Sequence, residues 1–298
     1  MKVLFEVPLR GAGGEPISFA RAVYSHGCAA LPPATLAESP LVYRRALRVG
    51  RRVIDVAMHE RDGTLVAQTP LAVRRSDAAA IEASIARMFR FNDDLSPFYA
   101  QIAGDERFAW ATDGAGRILA SPSVFEDVVK TICTTNCAWS ATERMTRALA
   151  DLGEGAFPEA QMLADAPDSW FRDVARMGYR GAYVKAISRD VSEKRLDLES
   201  MRDGGLSDDE VEQALLGLPG IGPYAAAHVM QLLGRHRRLV LDSWTRPKFC
   251  RLTGKKRAAD STIRRSFSRY GRYAGLAFWL FLTRDWINED EGKRPPGR

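Results

Sequence analysis

The stretch LLGLPGIGPYAAAHVMQLLG, residues 215–234, restricts the fold of this chain more than any other. Two apolar runs flank a Gly-x-Gly turn, Gly220–Ile221–Gly222, and Pro223 follows at once. Glycine reaches φ > 0 and permits close backbone approach. Proline suits the first position of a new helix, because it has no amide there to leave unsatisfied. The spacing therefore predicts a helix ending near 216, a hairpin over 216–224 and a second helix over 223–233 closed by Gly234. Ile221 is expected to tuck inward and lock the turn. Ala225, Ala226 and Ala227 are small enough to let the two helices approach closely. The amides of Gly220 and Gly222 and the second helix's N-terminus should point the same way. Such a cluster is a ready anion site, and a phosphate is the natural guest.

Charge agrees with a polyanionic partner. The 298 residues carry 43 Lys/Arg against 37 Asp/Glu. The excess is concentrated at the end, where residues 234–298 hold 17 Lys/Arg and 6 Asp/Glu. A basic C-terminal fifth on a slightly acidic body fits a nucleic acid, or else a merely solvated basic face. The basic runs GRHRRL and KFCRLTGKKR flank the segment VLDSW and are expected to neutralise phosphates.

At this length two or three packed modules are expected, and 46% hydrophobic residues supply a core. Residues 41–69 read as β: LVYRRALRVG, RRVIDVAMHE and TLVAQTP are strand-like runs separated by Gly50 and by RDGT. ISFARAVYSHG reads as a short helix ended by Gly27, and a helix begins at Ser76 as N-cap. From about Ser121 the texture is helical. Three Ser-x-x-Glu boxes, Ser123/Glu126, Ser140/Glu143 and Ser207/Glu210, precede apolar-periodic runs. Helices are predicted at about 123–135, 140–152, 158–165, 168–176, 181–192, 208–216, 223–233 and 260–287, with a loop at 202–208 and a polar tail after 288. The expected class is mainly α with a small N-terminal α+β module, divided as 1–95 and 96–298. Within the latter, 121–233 forms a central helical barrel, and 96–120 with 234–298 forms a second helical subdomain.

The four cysteines, Cys28, Cys133, Cys137 and Cys250, contain no C-x-x-C pair. A zinc knuckle or iron–sulfur loop has no support, and buried thiols in a reducing compartment are expected. MKVLFEVPLR lacks the apolar region of a signal peptide, and AGLAFWLFL is too short to span a bilayer. A soluble, intracellular protein is expected, cytoplasmic and nucleoid-associated if bacterial.

LPGIGPYAA, together with the aspartate of VLDSW, resembles the helix-hairpin-helix DNA glycosylase superfamily, in which this hairpin accompanies a Gly/Pro-rich loop and an active aspartate. The resemblance covers about 115–250 well. The N-terminal unit is similar, more loosely, to the TATA-binding-protein-like module some members carry. The resemblance implies that the amides around Gly220, Ile221 and Gly222 hold a DNA phosphate. It implies a monovalent cation on the carbonyls of Leu216, Leu218 and Ile221. It places the aspartate that assists base excision at Asp242, 18 residues beyond Tyr224. The plainer alternative for Asp242 is a cap for the helix that SWTRPKFCRL would form.

In that superfamily a lysine two residues after the second hairpin glycine attacks the sugar and also cuts the strand. Tyr224 stands there, and tyrosine cannot form the imine. The resemblance thus implies a monofunctional glycosylase in which water displaces the base and Asp242 stabilises an oxocarbenium-like sugar. The base must leave the stack. Asn136, in TICTTNCAWSATERM, maps to the residue that fills the gap, or else it is a simple cap. Tyr224, His228 one turn on, and Trp244 are the expected base pocket. Lys248, the lysine nearest in sequence to Asp242, is an expected DNA contact, or else a displaced lyase lysine. The aromatic residues of the C-terminal helix, Phe278, Trp279, Phe281 and Trp286, are read as core. No organic cofactor and no iron–sulfur cluster are expected. The partner is damaged double-stranded DNA, the protein a monomer, and the substrate a damaged purine, alkylated before oxidised. Two alternatives remain: an 8-oxoguanine-type enzyme, and a non-catalytic docking module.

Overall fold

The computed structural model describes residues 1–202 and 205–286. The tail from 287 and the centre of the 202–208 loop lie outside the described residues.

The N-terminal unit is one antiparallel sheet with two helices against it. The strands β1 (Lys2–Pro8), β2 (Ala34–Glu38), β3 (Leu41–Val49), β4 (Arg52–Arg61) and β5 (Thr64–Thr69) stand in the order β1-β5-β4-β3-β2. The three inner strands coincide with the three predicted runs. Each carries three consecutive buried residues at its middle, Arg45–Leu47, Val56–Met58 and Leu65–Ala67, so the centre of the sheet is covered on both faces. The edge strands were not expected. Both are short of buried side chains, and β1 is mostly exposed. Helix α1 (Phe19–Val23) and helix α2 (Arg75–Phe89) cover the sheet, and Ile81, Ile85, Met88 and Phe89 of α2 are buried. Arg74, not Ser76, is the N-cap of α2; Ser76 falls inside its first turn.

The rest is helical: α3 (Ser96–Ile102), α4 (Val124–Thr134), α5 (Trp139–Leu152), α6 (Ala160–Asp165), α7 (Arg180–Ser192), α8 (Asp208–Leu216), α9 (Pro223–Leu232), α10 (Thr245–Thr253), α11 (Asp260–Phe267) and α12 (Ala274–Thr283). The predicted helix over 168–176 is a single π turn, Trp170–Val174. Two of the three capping signals operate. Ser123 accepts from the Glu126 amide, and Ser207 with Glu210 forms a full reciprocal box. Ser140 does not cap, because α5 already starts at Trp139 behind Ala138. The predicted helix 260–287 is broken. Gly271, at φ 53° and ψ −119°, turns the chain between α11 and α12 through a 3-10 segment.

Buried apolar side chains gather into three clusters. One joins the sheet, α1 and α2. A second runs through α4–α9. A third unites α3 with α10–α12 and the 239–241 segment. The sheet is fastened to the helices by charge as well. The buried Arg45 of β3 donates to Glu126 of α4, which also holds Lys130 at 2.7 Å. No helix among the described residues is long and apolar enough to cross a membrane.

Candidate active site and nucleic-acid interface

The hairpin forms where the sequence places it. Helix α8 ends at Gly217, the Leu218 amide returns to the Leu215 carbonyl (3.0 Å), and the Ile221 amide to the Leu218 carbonyl (3.2 Å). Ile221 is buried in the α4–α9 core, as are Ala225 and Ala226. The two glycines differ. Gly220 has φ 83°, and a Cβ there would lie 2.5 Å from the Tyr183 ring. Gly222, expected to share the positive φ, is extended instead, at φ −98° and ψ −177°. The cause is Pro223, whose ring excludes the helical region for the residue before it. Gly222 then serves as N-cap of α9 with Pro223 in its first turn. It is exposed, and a Cβ would meet nothing within 4 Å. The backbone of the turn thus opens outward beside the positive end of a helix dipole.

Asp242 follows the buried strand-like segment Leu239–Val240–Leu241. Its Oδ1 accepts from the amides of Trp244 (2.9 Å) and Thr245 (2.6 Å), while its own amide donates to Thr245 Oγ1 (2.8 Å). The carboxylate therefore caps α10 and is held rigidly. It also lines a cleft of about 780 Å³. The capping and cleft-lining roles are compatible, since one oxygen takes both amides.

Tyr224, His228 and Trp244 line the same cleft as Asp242. Tyr224 and His228, one turn apart on α9, stack with centroids 6.2 Å apart and planes at 13°. Trp244 packs between Trp279 (5.9 Å) and Trp286 (5.6 Å), both read from sequence as core. These two are largely buried, yet they also contribute to the cleft wall. Asn136 stands exposed at the turn between α4 and α5, at φ 46°. Arg180 braces that turn by donating to the carbonyls of Thr135 and Asn136. Thr134, Cys137 and Trp139, its neighbours, reach the cleft.

Two expectations about positive charge are corrected. Lys248 is buried on α10 and ion-paired with Asp285, so it does not offer its ammonium to a surface phosphate. In GRHRRL, Arg235 pairs with Asp208 (2.9 Å), Arg238 with Asp209 (2.6 Å) and Glu212 (2.5 Å), and His236 is buried. The acidic first turn of α8 draws that run inward. Lys255, Lys256 and Arg257 remain exposed.

The cleft also has a wall that the sequence did not announce. The N-terminal unit contributes His26, Cys28, the 30–36 segment and Glu38, and α5 contributes Glu143, Arg147 and Asp151. His26 is buried, its Nε2 is 2.7 Å from the Leu119 carbonyl, and burial pushes its pKa down to about 4. It meets His228 edge-on at 5.6 Å. Nothing in the local pattern SHGC marks these residues, because their neighbours come from the far end of the chain.

No protein-family model matches the chain. A curated protein of Methanothermobacter thermautotrophicus, named a probable N-glycosylase/DNA lyase, is 24% identical over 172 residues. That match takes in 47% of this chain and 53% of the relative, so the chain spans about half the relative's length. Among solved structures, the 3-methyladenine DNA glycosylase of Archaeoglobus fulgidus superposes with a TM-score of 0.71 at 20% identity, over 94% of this chain and 97% of its own. The 8-oxoguanine glycosylase/lyase of Clostridium acetobutylicum in its apo form superposes at 0.69 and 17% identity, over 91% and 94%. The same enzyme bound to double-stranded DNA with cytosine opposite 8-oxoguanine gives 0.64 at 19% identity, over 85% and 87%. The chain shares the fold of these structures.

Proposed function

We propose that this chain is a DNA glycosylase of base excision repair that hydrolyses the N-glycosyl bond of a damaged purine extruded from the duplex. The observation that carries this reading is the position of Asp242. Its carboxylate is fixed by two amides and faces the aromatic cleft of Tyr224, His228 and Trp244, on the chain segment following the hairpin's second helix. A fixed anion beside a sugar that develops positive charge stabilises the transition state more than the ground state. In the proposed complex a DNA phosphate rests on the outward backbone at Gly220–Gly222 and the N-terminus of α9. A monovalent cation on the carbonyls of Leu216, Leu218 and Ile221 would add positive charge there; the Leu218 oxygen, with one amide already, has a second lone pair to give. Asn136, at the exposed turn bordering the cleft, fills the gap left by the base. The N-terminal sheet belongs to the TATA-binding-protein-like class and closes one cleft wall, with the helical subdomains on the other sides. The protein acts as a monomer.

Tyr224 at the position of the attacking lysine supports hydrolysis without strand cutting. An alkylated purine is favoured over an oxidised one by the charge of the cleft. Among the described residues that line it, Glu38, Glu143, Asp151 and Asp242 bring carboxylates and Arg147 a guanidinium. Electron-rich aromatic faces and four carboxylates suit a base that carries a formal positive charge, which 8-oxoguanine lacks.

The test is mass spectrometry of bases released from alkylated and oxidised DNA by the wild type and by Asp242→Asn. Release of a methylated purine by the wild type, falling about 10²–10³-fold in the variant with DNA affinity retained, is expected. No release from any lesion would leave a docking module. Borohydride treatment on lesion DNA should trap no covalent adduct; a trapped adduct overturns the monofunctional assignment.

A further inference from the structure

We propose that His26, Cys28 and His228 form a binding site for a divalent transition metal of the zinc type on the floor of the cleft. His26 and Cys28 flank Gly27 at the start of a 3-10 turn in the N-terminal unit, and His228 comes from α9. Their ligating atoms all lie within 4.8 Å of one another. Bonds of about 2.0–2.3 Å in a tetrahedral centre bring ligand atoms to roughly 3.3–3.6 Å. Small side-chain rotations cover the difference.

A second observation points to the ligand independently. His26 is 6% exposed, and its Nε2 faces the Leu119 carbonyl at 2.7 Å. A carbonyl only accepts, so Nε2 carries the proton and Nδ1 keeps its lone pair. That Nδ1 is buried without a hydrogen-bond partner among the described residues. An imidazole anchored by a backbone carbonyl, with its other nitrogen bare, is the arrangement in which histidines hold metals. Cys28 is in no disulfide. On binding, its thiol gives up one proton to solvent as the sulfur–metal bond forms.

Two imidazoles and a thiolate select zinc or a neighbouring transition metal over magnesium or calcium. Lys130 and Arg45, buried beside the site, share the carboxylate of Glu126, which offsets one of their two positive charges. Three protein ligands leave a fourth position. Because all three residues line the cleft, that position opens to it. A water would occupy it. The metal binding does not depend on the glycosylase reading, and the two are measured separately.

The full chain, loaded with Zn2+ and desalted, should retain one equivalent by elemental analysis. Loaded with Co2+ instead, it should show the near-ultraviolet thiolate-to-cobalt band and the intense visible bands of a tetrahedral centre. Cys28→Ser should abolish the thiolate band and lower Zn2+ affinity by at least about tenfold. His26→Gln and His228→Gln should weaken retention similarly, while His59→Gln, on β4, should not. Circular dichroism and melting of metal-free Cys28→Ser, a near-isosteric change, establish that the variant is folded. A wild type that retains less than about a tenth of an equivalent, or a folded Cys28→Ser with an unchanged cobalt spectrum, overturns the site.

Discussion

At the scale of the residue, Asp242 has two jobs that a substitution can separate. Asparagine keeps the side-chain oxygen that takes the Trp244 and Thr245 amides, and alanine does not. Asp242→Asn should therefore stay within about 0.5 kcal/mol of wild-type stability while losing base release, whereas Asp242→Ala should also lose about 1 kcal/mol of capping energy in a denaturant titration. His236 gives a prediction in pH. Burial, with Arg90, Arg117 and Arg272 nearby, pushes its pKa down from 6.5 to about 3. The unfolded chain therefore binds a proton that the folded chain refuses. Stability from this group is complete above pH 6.5 and is lost as pH falls towards 3. Between pH 7 and 5 the loss should be about 2 kcal/mol. The fall in unfolding free energy from pH 7 to pH 5, read from urea titrations, should be larger for wild type than for His236→Phe by that amount; equal falls would place the proton elsewhere.

At the scale of the element, the hairpin is built from two glycines with unlike duties. Gly220→Ala meets both a positive φ and the Tyr183 ring. It should cost about 1–2 kcal/mol in thermal or chemical unfolding. Gly222→Ala meets neither obstacle and should fold within about 0.5 kcal/mol of wild type, yet weaken DNA binding by standing a methyl where a phosphate approaches. Much of this element was legible beforehand. Helix α8 has its predicted ends and α9 its predicted start, because Ser207, Gly217, Gly220 and Pro223 act through their own backbone chemistry. Ser140 failed as a cap for the opposite reason. Which residue caps depends on where the preceding chain arrives, and the Cys137–Ala138 turn starts α5 earlier.

At the scale of the whole molecule, the cleft exists because three packing clusters meet around it. The sheet is tied to α4 by the buried trio of Arg45, Glu126 and Lys130. Glu126→Ala leaves two buried cations facing each other and should cost about 3–5 kcal/mol in a denaturant titration. Because His26, Cys28 and the 30–36 segment ride on the unit so anchored, the variant should also loosen the cleft wall. A Glu126→Ala protein with unaltered stability would show that the sheet is held by its apolar contacts alone.

The sequence by itself determined the local events: the hairpin, the helix that follows it, three central strands, and Tyr224, His228, Asp242 and Trp244, which the structure gathers around one cleft. The hairpin, helix and strands rest on spacing within about thirty residues, where backbone chemistry and helical periodicity act directly, and the four site residues on the resemblance of LPGIGPYAA and VLDSW to a known superfamily. Tertiary structure decided which charges are spent and which remain. Lys248 and the arginines near 235 look available in sequence, but Asp285 and the acidic turn of α8 take them up. It also brought His26 and Cys28 against His228, across two hundred residues. No periodicity reports such a meeting, because it is set by how separately packed units dock and not by the chain between them.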